Sequence, residues 1–294
     1  MLYYIARALI ALIQSLPLPL VARIGRCGGA LAFWLDARHR NVVLQNLDMC
    51  FGKEKSSREI HAIAKENFRR IGEAYCCAIR TAAMDKDELR PHVEFVGVEQ
   101  LLPPRRMVMA IGHFGNFELY ARFCQYAPGY VTATTYRALK QPALNRLMQK
   151  LREKSGCLFF ERRTDGKLLR AAMHQSNLML GLLADQSTPG LRAPFLGRQC
   201  STGLAPAIFA LRYDCELFTG FCFRVELAKW RLELGDKIAT HENGSPRSSE
   251  DIMRDVNRSF ENAVRRDPAN WFWVHRRWKP ANARETESEM PNRG

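Results

Sequence analysis

The nine cysteines of this 294-residue chain include no Cys-x-x-Cys pair and follow no regular spacing. Neither a zinc site nor a disulfide framework is indicated, and an odd, scattered set fits a reducing compartment. The sequence also has no Gly-x-Ser-x-Gly elbow, no His-Glu-x-x-His, no phosphate-binding loop and no dinucleotide fingerprint. That excludes the hydrolases, zinc peptidases and nucleotide-dependent enzymes built on those motifs. No internal repeat or low-complexity block interrupts the chain. Long apolar runs are missing too: residues 2–35 are apolar but broken by Pro17 and Pro19, with Arg7, Arg23 and Arg26 among them. The first uninterrupted helical candidate, 2–13, would be about 18 Å long against about 30 Å of bilayer hydrocarbon, too short to span. Met1 is followed by Leu-Tyr-Tyr rather than a basic segment, which argues against a signal peptide. Acidic residues are the minority, 30 against 44 Lys and Arg, for a net charge of +14. The partners this favours are anionic: a membrane surface, an acidic carrier protein, a phosphorylated lipid or nucleic acid.

What is present is organised around residues 111–118, Ile-Gly-His-Phe-Gly-Asn-Phe-Glu. The apolar run 107–111 before it has the composition of a buried strand, and 117–123 after it that of a helix. Gly112 and Gly115 permit the tight turn and the close approach of a ligand, Asn116 is placed to cap the helix, and unpaired backbone N–H groups are expected beside His113. On one regular helix His113 and Glu118 would point about 140° apart. With His113 still in the loop they can meet. Glu118 would then fix the imidazole tautomer while the other ring nitrogen takes a proton from an alcohol, and the helix N-terminus would steady an oxyanion or a phosphate. By composition alone the same residues also fit an ordinary helix start.

The rest of the chain alternates strand and helix. Periodicity predicts helices at 41–51 and from Ser56 or Ser57 to Ile79, strands at 92–97, 130–136 and 157–160, a helix at 167–175 and a buried strand at 178–184. A helix at 204–212, strands at 216–224 and 227–234, a polar loop at 236–249 and a helix at 249–265 follow. This order predicts an α/β fold with a mixed, largely parallel central sheet flanked by helices. At 47% hydrophobic, the chain can bury one large core. Arg137 is expected at a strand's carboxyl end, where such sheets bind ligands, and Asp185-Gln186 at another; Asp185 can bind a hydroxyl, support His113 or cap a turn. The aromatic and basic run 271–279, with Trp271, Trp273 and Trp278, could stack bases or sit at headgroup depth.

A histidine followed after four residues by an acid resembles the shared motif of glycerolipid acyltransferases. The Gly-His-Phe-Gly-Asn-Phe-Glu wording is similar to that of the bacterial lipid A biosynthesis acyltransferase family. Further stretches carry the same resemblance: 46–51; Tyr136-Arg137 with the proline after it; Ala184-Asp185-Gln186 with Phe195-Leu196-Gly197 and Ser201-Thr202-Gly203; and the ending Trp-Phe-Trp-Val-His-Arg-Arg-Trp-Lys. The resemblance implies a glycerolipid-acyltransferase-like fold and a membrane-associated O-acyltransferase at the cytoplasmic face of the inner membrane. It needs no cofactor and no metal, takes acyl groups from acyl carrier protein or coenzyme A, acylates an anionic lipid and does not bind nucleic acid. His113 and Glu118 would be catalytic. Gly115, Asn116, Arg137, Asp185, Gln186, Phe195, Arg276 and Arg277 would bind substrate, with Phe195 on the acyl chain and the arginines on phosphate. Residues 1–36 are expected to form membrane-associating helices, 37–280 the acyltransferase domain and 281–294 a polar tail. A lysophospholipid or other polar-lipid acyltransferase, a lipid or thioester hydrolase using the same histidine, and a non-enzymatic binding protein are the alternatives.

Overall fold

The computed structural model describes residues 2–278, so Lys279 and the tail expected at 281–294 lie outside the described residues. Four helices open the chain: α1 (Leu2–Ser15), α2 (Leu18–Leu35), α3 (Ala37–Phe51) and α4 (Ser57–Thr81). Pro17 stands at the N-cap of α2 and Pro19 inside its first turn, where a missing N–H leaves no hydrogen bond unmade. A capping box between Ser56 and Glu59 fixes the start of α4. The two long helices α2 and α4 lie in backbone contact because glycines leave room: a Cβ on Gly25 would sit 2.5 Å from the Gly72 carbonyl oxygen, and one on Gly29 2.1 Å from that of Phe68. Arg26 then reaches Glu66 at 2.9 Å and the buried Glu73 at 3.2 Å. The opposite side of this layer is apolar and open, with Tyr4, Leu9, Leu12, Ile24, Leu31 and Trp34 all more than half or about half exposed. By length and composition α2 is apolar enough to cross a membrane, but about a third of it is buried in the protein.

The chain after α4 builds the sheet. In order come α5 (Lys86–Leu89), β1 (Val93–Val96), β2 (Met107–Ile111), β3 (Val131–Tyr136), α6 (Pro142–Arg152), β4 (Leu158–Glu161), α7 (Gly166–Ala172) and β5 (Leu178–Leu183). They are followed by β6 (Ser187–Phe195), β7 (Arg198–Thr202), α8 (Ala205–Arg212), β8 (Glu216–Glu226), β9 (Lys229–Ile238), the short β10 (His241–Glu242) and β11 (Ser245–Pro246), and α9 (Ser249–Arg266). Seven strands form the central sheet in the order β1-β9-β8-β2-β5-β3-β4. All its pairings are parallel except β8 with β9. Strand β2 is buried along its whole length, which explains its unbroken apolar run.

Three stretches differ from the expectation. Residues 187–202 form an antiparallel hairpin, β6 with β7, and the polar 236–249 holds the end of β9 and the β10–β11 ribbon. The segment after the motif, Phe117–Gln125, winds as a 3-10 helix.

The aromatic C-terminal run is interior, neither a base-stacking platform nor a headgroup anchor. Asn46 donates to the carbonyls of Trp273 and His275, both at 2.9 Å, and Asn67 to those of Ala269 and Trp271 at 2.9 and 2.5 Å. Trp271 and Trp273 are almost fully buried. Their indole N–H groups donate inward, to Asp185 and to the Pro268 carbonyl. Two buried asparagines on α3 and α4 thus bind the end of the chain across the core.

Candidate active site

Parallel pairing of β2 with β5 aligns Ile111 with Leu183, and the Ala184 N–H donates to the Ile111 carbonyl at 2.9 Å. Two residues beyond each strand stand His113 and Asp185. The His113 backbone N–H donates to Asp185 Oδ2 at 2.7 Å, and ring Nδ1 lies 2.8 Å from Oδ1. Trp271 Nε1–H donates to the same Oδ2 at 2.8 Å. Burial, the largest single influence on Asp185, opposes its ionisation. The charge of His113 and the hydrogen bonds from His113 and Trp271 outweigh it and take the carboxyl down to about 2. A carboxylate only accepts hydrogen bonds, so Nδ1 carries a proton, and in the neutral ring the lone pair is then on Nε2. Gln186 Nε2 sits 3.3 Å from that nitrogen, as a donor to it. Phe117 and Phe272 hold the ring between them, at centroid distances of 4.8 and 5.8 Å.

The imidazole is not sealed in: 15% of the side chain is exposed, and it borders a cleft of about 590 Å³. The floor is apolar, formed by Met109, Ile111, Met179, Leu183 and Leu234 with Gly181 between them. Arg137, Arg152 and Arg162 stand on the wall. Such a slot, lipophilic inside and basic at its border, suits an amphiphile with an anionic group.

Several expected site residues do other work. Glu118 borders the cleft, but its carboxylate forks onto Arg152, at 2.7 and 3.2 Å, so the acid on the His113 ring is Asp185. The reason is register: Asp185 arrives from the adjacent parallel strand at Nδ1, whereas Glu118 lies in the first turn of the 3-10 helix and meets the guanidinium instead. Backbone donors at the turn are also engaged, since Phe114 N–H donates to the Gly112 carbonyl and Gly115 N–H to that of Asn270. With the His113 N–H on Asp185, these three give no oxyanion hole. Gly115 has φ of 49°, and a Cβ there would lie 2.7 Å from the Cys222 carbonyl oxygen, so its glycine serves backbone packing rather than substrate contact. Asn116 does not cap through its side chain; it is 1% exposed, and its amide atoms have no hydrogen-bond partner among the described residues. Phe195 is fully buried against Trp271 and Trp278, away from the cleft lining.

The two C-terminal arginines separate. Arg277 has no exposed surface: it donates to the carbonyls of Gln186 and Ser201 and to Thr202 Oγ1, and lies over the Phe195 ring at 5.2 Å. It braces the Asp185-Gln186 turn from behind and holds no substrate phosphate. Arg276 is exposed, but it does not border the cleft. Arg137 borders it from the end of β3, with its side chain in solvent.

Sequence reasoning gave Arg152 no part in the site. It stacks over Phe159 at 4.9 Å and near Tyr136 at 5.9 Å. Its only linear signal was the basic stripe of α6. Trp271 as the third group on Asp185, and Phe272 against the imidazole, left no signal, because both depend on how the last segment folds back. Among the described residues no cluster of three or more His, Cys, Asp or Glu could hold a metal ion.

Comparison with known proteins gives the family. A family model described as bacterial lipid A biosynthesis acyltransferase matches residues 1–280. The chain is similar to the lipid A biosynthesis palmitoleoyltransferase of Escherichia coli (strain K12), with 22% identity over 275 residues, 90% of this chain and 87% of that one. It is similar to the same extent to the lipid A biosynthesis acyltransferase of Shigella flexneri, again at 22% over 275 residues.

Proposed function

Because this chain belongs to the bacterial lipid A biosynthesis acyltransferase family, we propose that it transfers a fatty acyl group from a thioester, on acyl carrier protein or coenzyme A, to a hydroxyl of an anionic lipid such as a lipid A precursor. The observation that carries this reading is the imidazole with a buried carboxylate on Nδ1 and its Nε2 at an apolar, arginine-bordered cleft. The acceptor hydroxyl takes the place of the Gln186 amide at Nε2 and gives its proton to it as the oxygen attacks the thioester carbonyl. Asp185 stabilises the imidazolium, and the freed Gln186 amide donates to the developing oxyanion. Collapse of the tetrahedral intermediate expels the thiolate, which recovers the proton from Nε2. The floor around Gly181 takes the acyl chain, and Arg137 and Arg152 take phosphate.

The helices of residues 1–36 serve as a membrane-facing layer for the catalytic domain of residues 37–280. With α2 clamped along α4 by glycine contacts and Arg26, its open apolar side together with that of α1 lies in the interface rather than across the bilayer. In this reading the protein works at the cytoplasmic face of the inner membrane, and the open apolar side of α1 and α2 supports the membrane contact.

Purified protein given acyl-carrier thioester and a lipid A precursor is expected to release free thiol and yield the acylated lipid. His113→Ala should lower the rate by about 10² to 10⁴. Retained turnover in that variant discards the mechanism, and thiol release with free fatty acid instead of acylated lipid makes the enzyme a hydrolase.

A further inference from the structure

A second recess opens on the other face of the sheet. Along β5, Leu183 faces the His113 cleft, while Leu182 and Ala184 point the opposite way, towards α7 and α8. There they line a cavity of about 440 Å³. Its apolar wall is Leu169, Pro206, Ile208, Phe209 and Tyr213, of which Leu169 and Tyr213 are buried and Ile208 is 47% exposed at the mouth. Three arginines, Arg162, Arg170 and Arg212, stand around it with exposed side chains. Among the described residues none of the three pairs with a carboxylate; Arg162 donates only to Thr135 Oγ1, at 3.3 Å. Thr135, Arg162, Leu183 and Thr188 border both this recess and the His113 cleft, so the two cavities share one lip at the carboxyl ends of β3 and β5.

We infer that this second recess is a binding site for a phosphate-bearing amphiphile, whose apolar part lies against Ile208 and Phe209 and whose phosphate is held by Arg162, Arg170 and Arg212. An acyl transfer between two lipophilic molecules has to seat two apolar bodies beside one imidazole. With the acyl donor in the His113 cleft, the acceptor comes in over the common lip. Three guanidinium groups without a carboxylate create a field that only an anion neutralises. The apolar depth behind them distinguishes the site from a protein-docking surface, which would need a broad, flat basic face and no recess. The assignment rests on the acyl-transfer reading for its purpose, but not for its test.

Binding of dodecyl phosphate below its micelle-forming concentration, followed by calorimetry on the full chain, is the direct measurement. Arg170→Ala with Arg212→Ala should weaken binding at least tenfold, and Ile208→Glu should do the same with all three arginines present. All three positions are exposed, and unchanged melting temperatures would show the variants folded. Dodecyl maltoside, which has no charge, should bind wild type and the arginine variant alike. Equal dodecyl phosphate affinity in wild type and both variants overturns the inference. So does inorganic phosphate binding as tightly as dodecyl phosphate, which would make this a plain anion site, and so does a loss confined to acidic carrier protein, which would make the arginines a protein dock. Thiol release is scored separately. Wild-type turnover without any arginine effect on dodecyl phosphate sinks this site alone, whereas arginine-dependent binding without turnover sinks the acyl-transfer reading alone.

Discussion

Asp185 and Glu118 come to the neighbourhood of His113 from different elements, and their surroundings give them different work. Asp185 comes off the end of β5, is 1% exposed and takes three N–H donors from His113 and Trp271. Glu118 comes from the 3-10 helix after the motif, keeps 27% of its side chain exposed and faces Arg152. A carboxylate directs an imidazole when it is desolvated and locked in the ring plane, because its charge is then unscreened and its geometry fixed. A partly solvated ion pair mainly positions a side chain. Five-residue proximity in sequence favoured Glu118; strand register favours Asp185.

The largest expected effect divides the two acids. Asp185→Asn should lower kcat for thiol release by about 10² to 10⁴, with little change in KM, because the tautomer and the imidazolium lose their support. Glu118→Gln should cost about fivefold or less in kcat/KM, through a loosened Arg152. Equal losses would break the distinction.

The paired C-terminal arginines repeat it in stability. Arg277→Met leaves buried carbonyls without donors and should destabilise the fold by on the order of 3 kcal/mol in urea unfolding, whereas Arg276→Met should stay within about 0.5 kcal/mol. Matching unfolding curves would refute the bracing role of Arg277.

A smaller effect is read from pH. The Asp185 carboxyl ionises more readily folded than unfolded, so it stabilises the fold above its ordinary value of 3.8, and this contribution is lost as pH falls towards about 2. It amounts to on the order of 2 kcal/mol. Acid unfolding of Asp185→Asn should be less steep over that window than that of wild type; identical slopes would mean the carboxylate is not held as described.

The linear chain was informative wherever a pattern is local. The 3.6-residue rhythm of α4 and its start at Ser56 or Ser57, the buried runs of β2 and β5, and the order of strands and helices all showed in the sequence, because side-chain periodicity and capping are settled within a few residues. Residues 187–202 did not read as a hairpin, because β6 carries Pro189, Gly190 and Pro194 and lacks clean alternation. The tryptophans and Arg277 were misjudged for another reason. Their composition is that of a surface motif, and only the carbonyl acceptors and the asparagines of α3 and α4 make an interior position affordable.

The sequence by itself determined the class of fold and the family, since both are written in local patterns, and it singled out His113 as the candidate. Tertiary structure alone decided which acid serves that histidine, which arginine faces solvent and that two cavities share a lip. Those choices follow from parallel strands brought side by side and from a C-terminal segment bound back across the core, where the contacts join residues 72 and more positions apart.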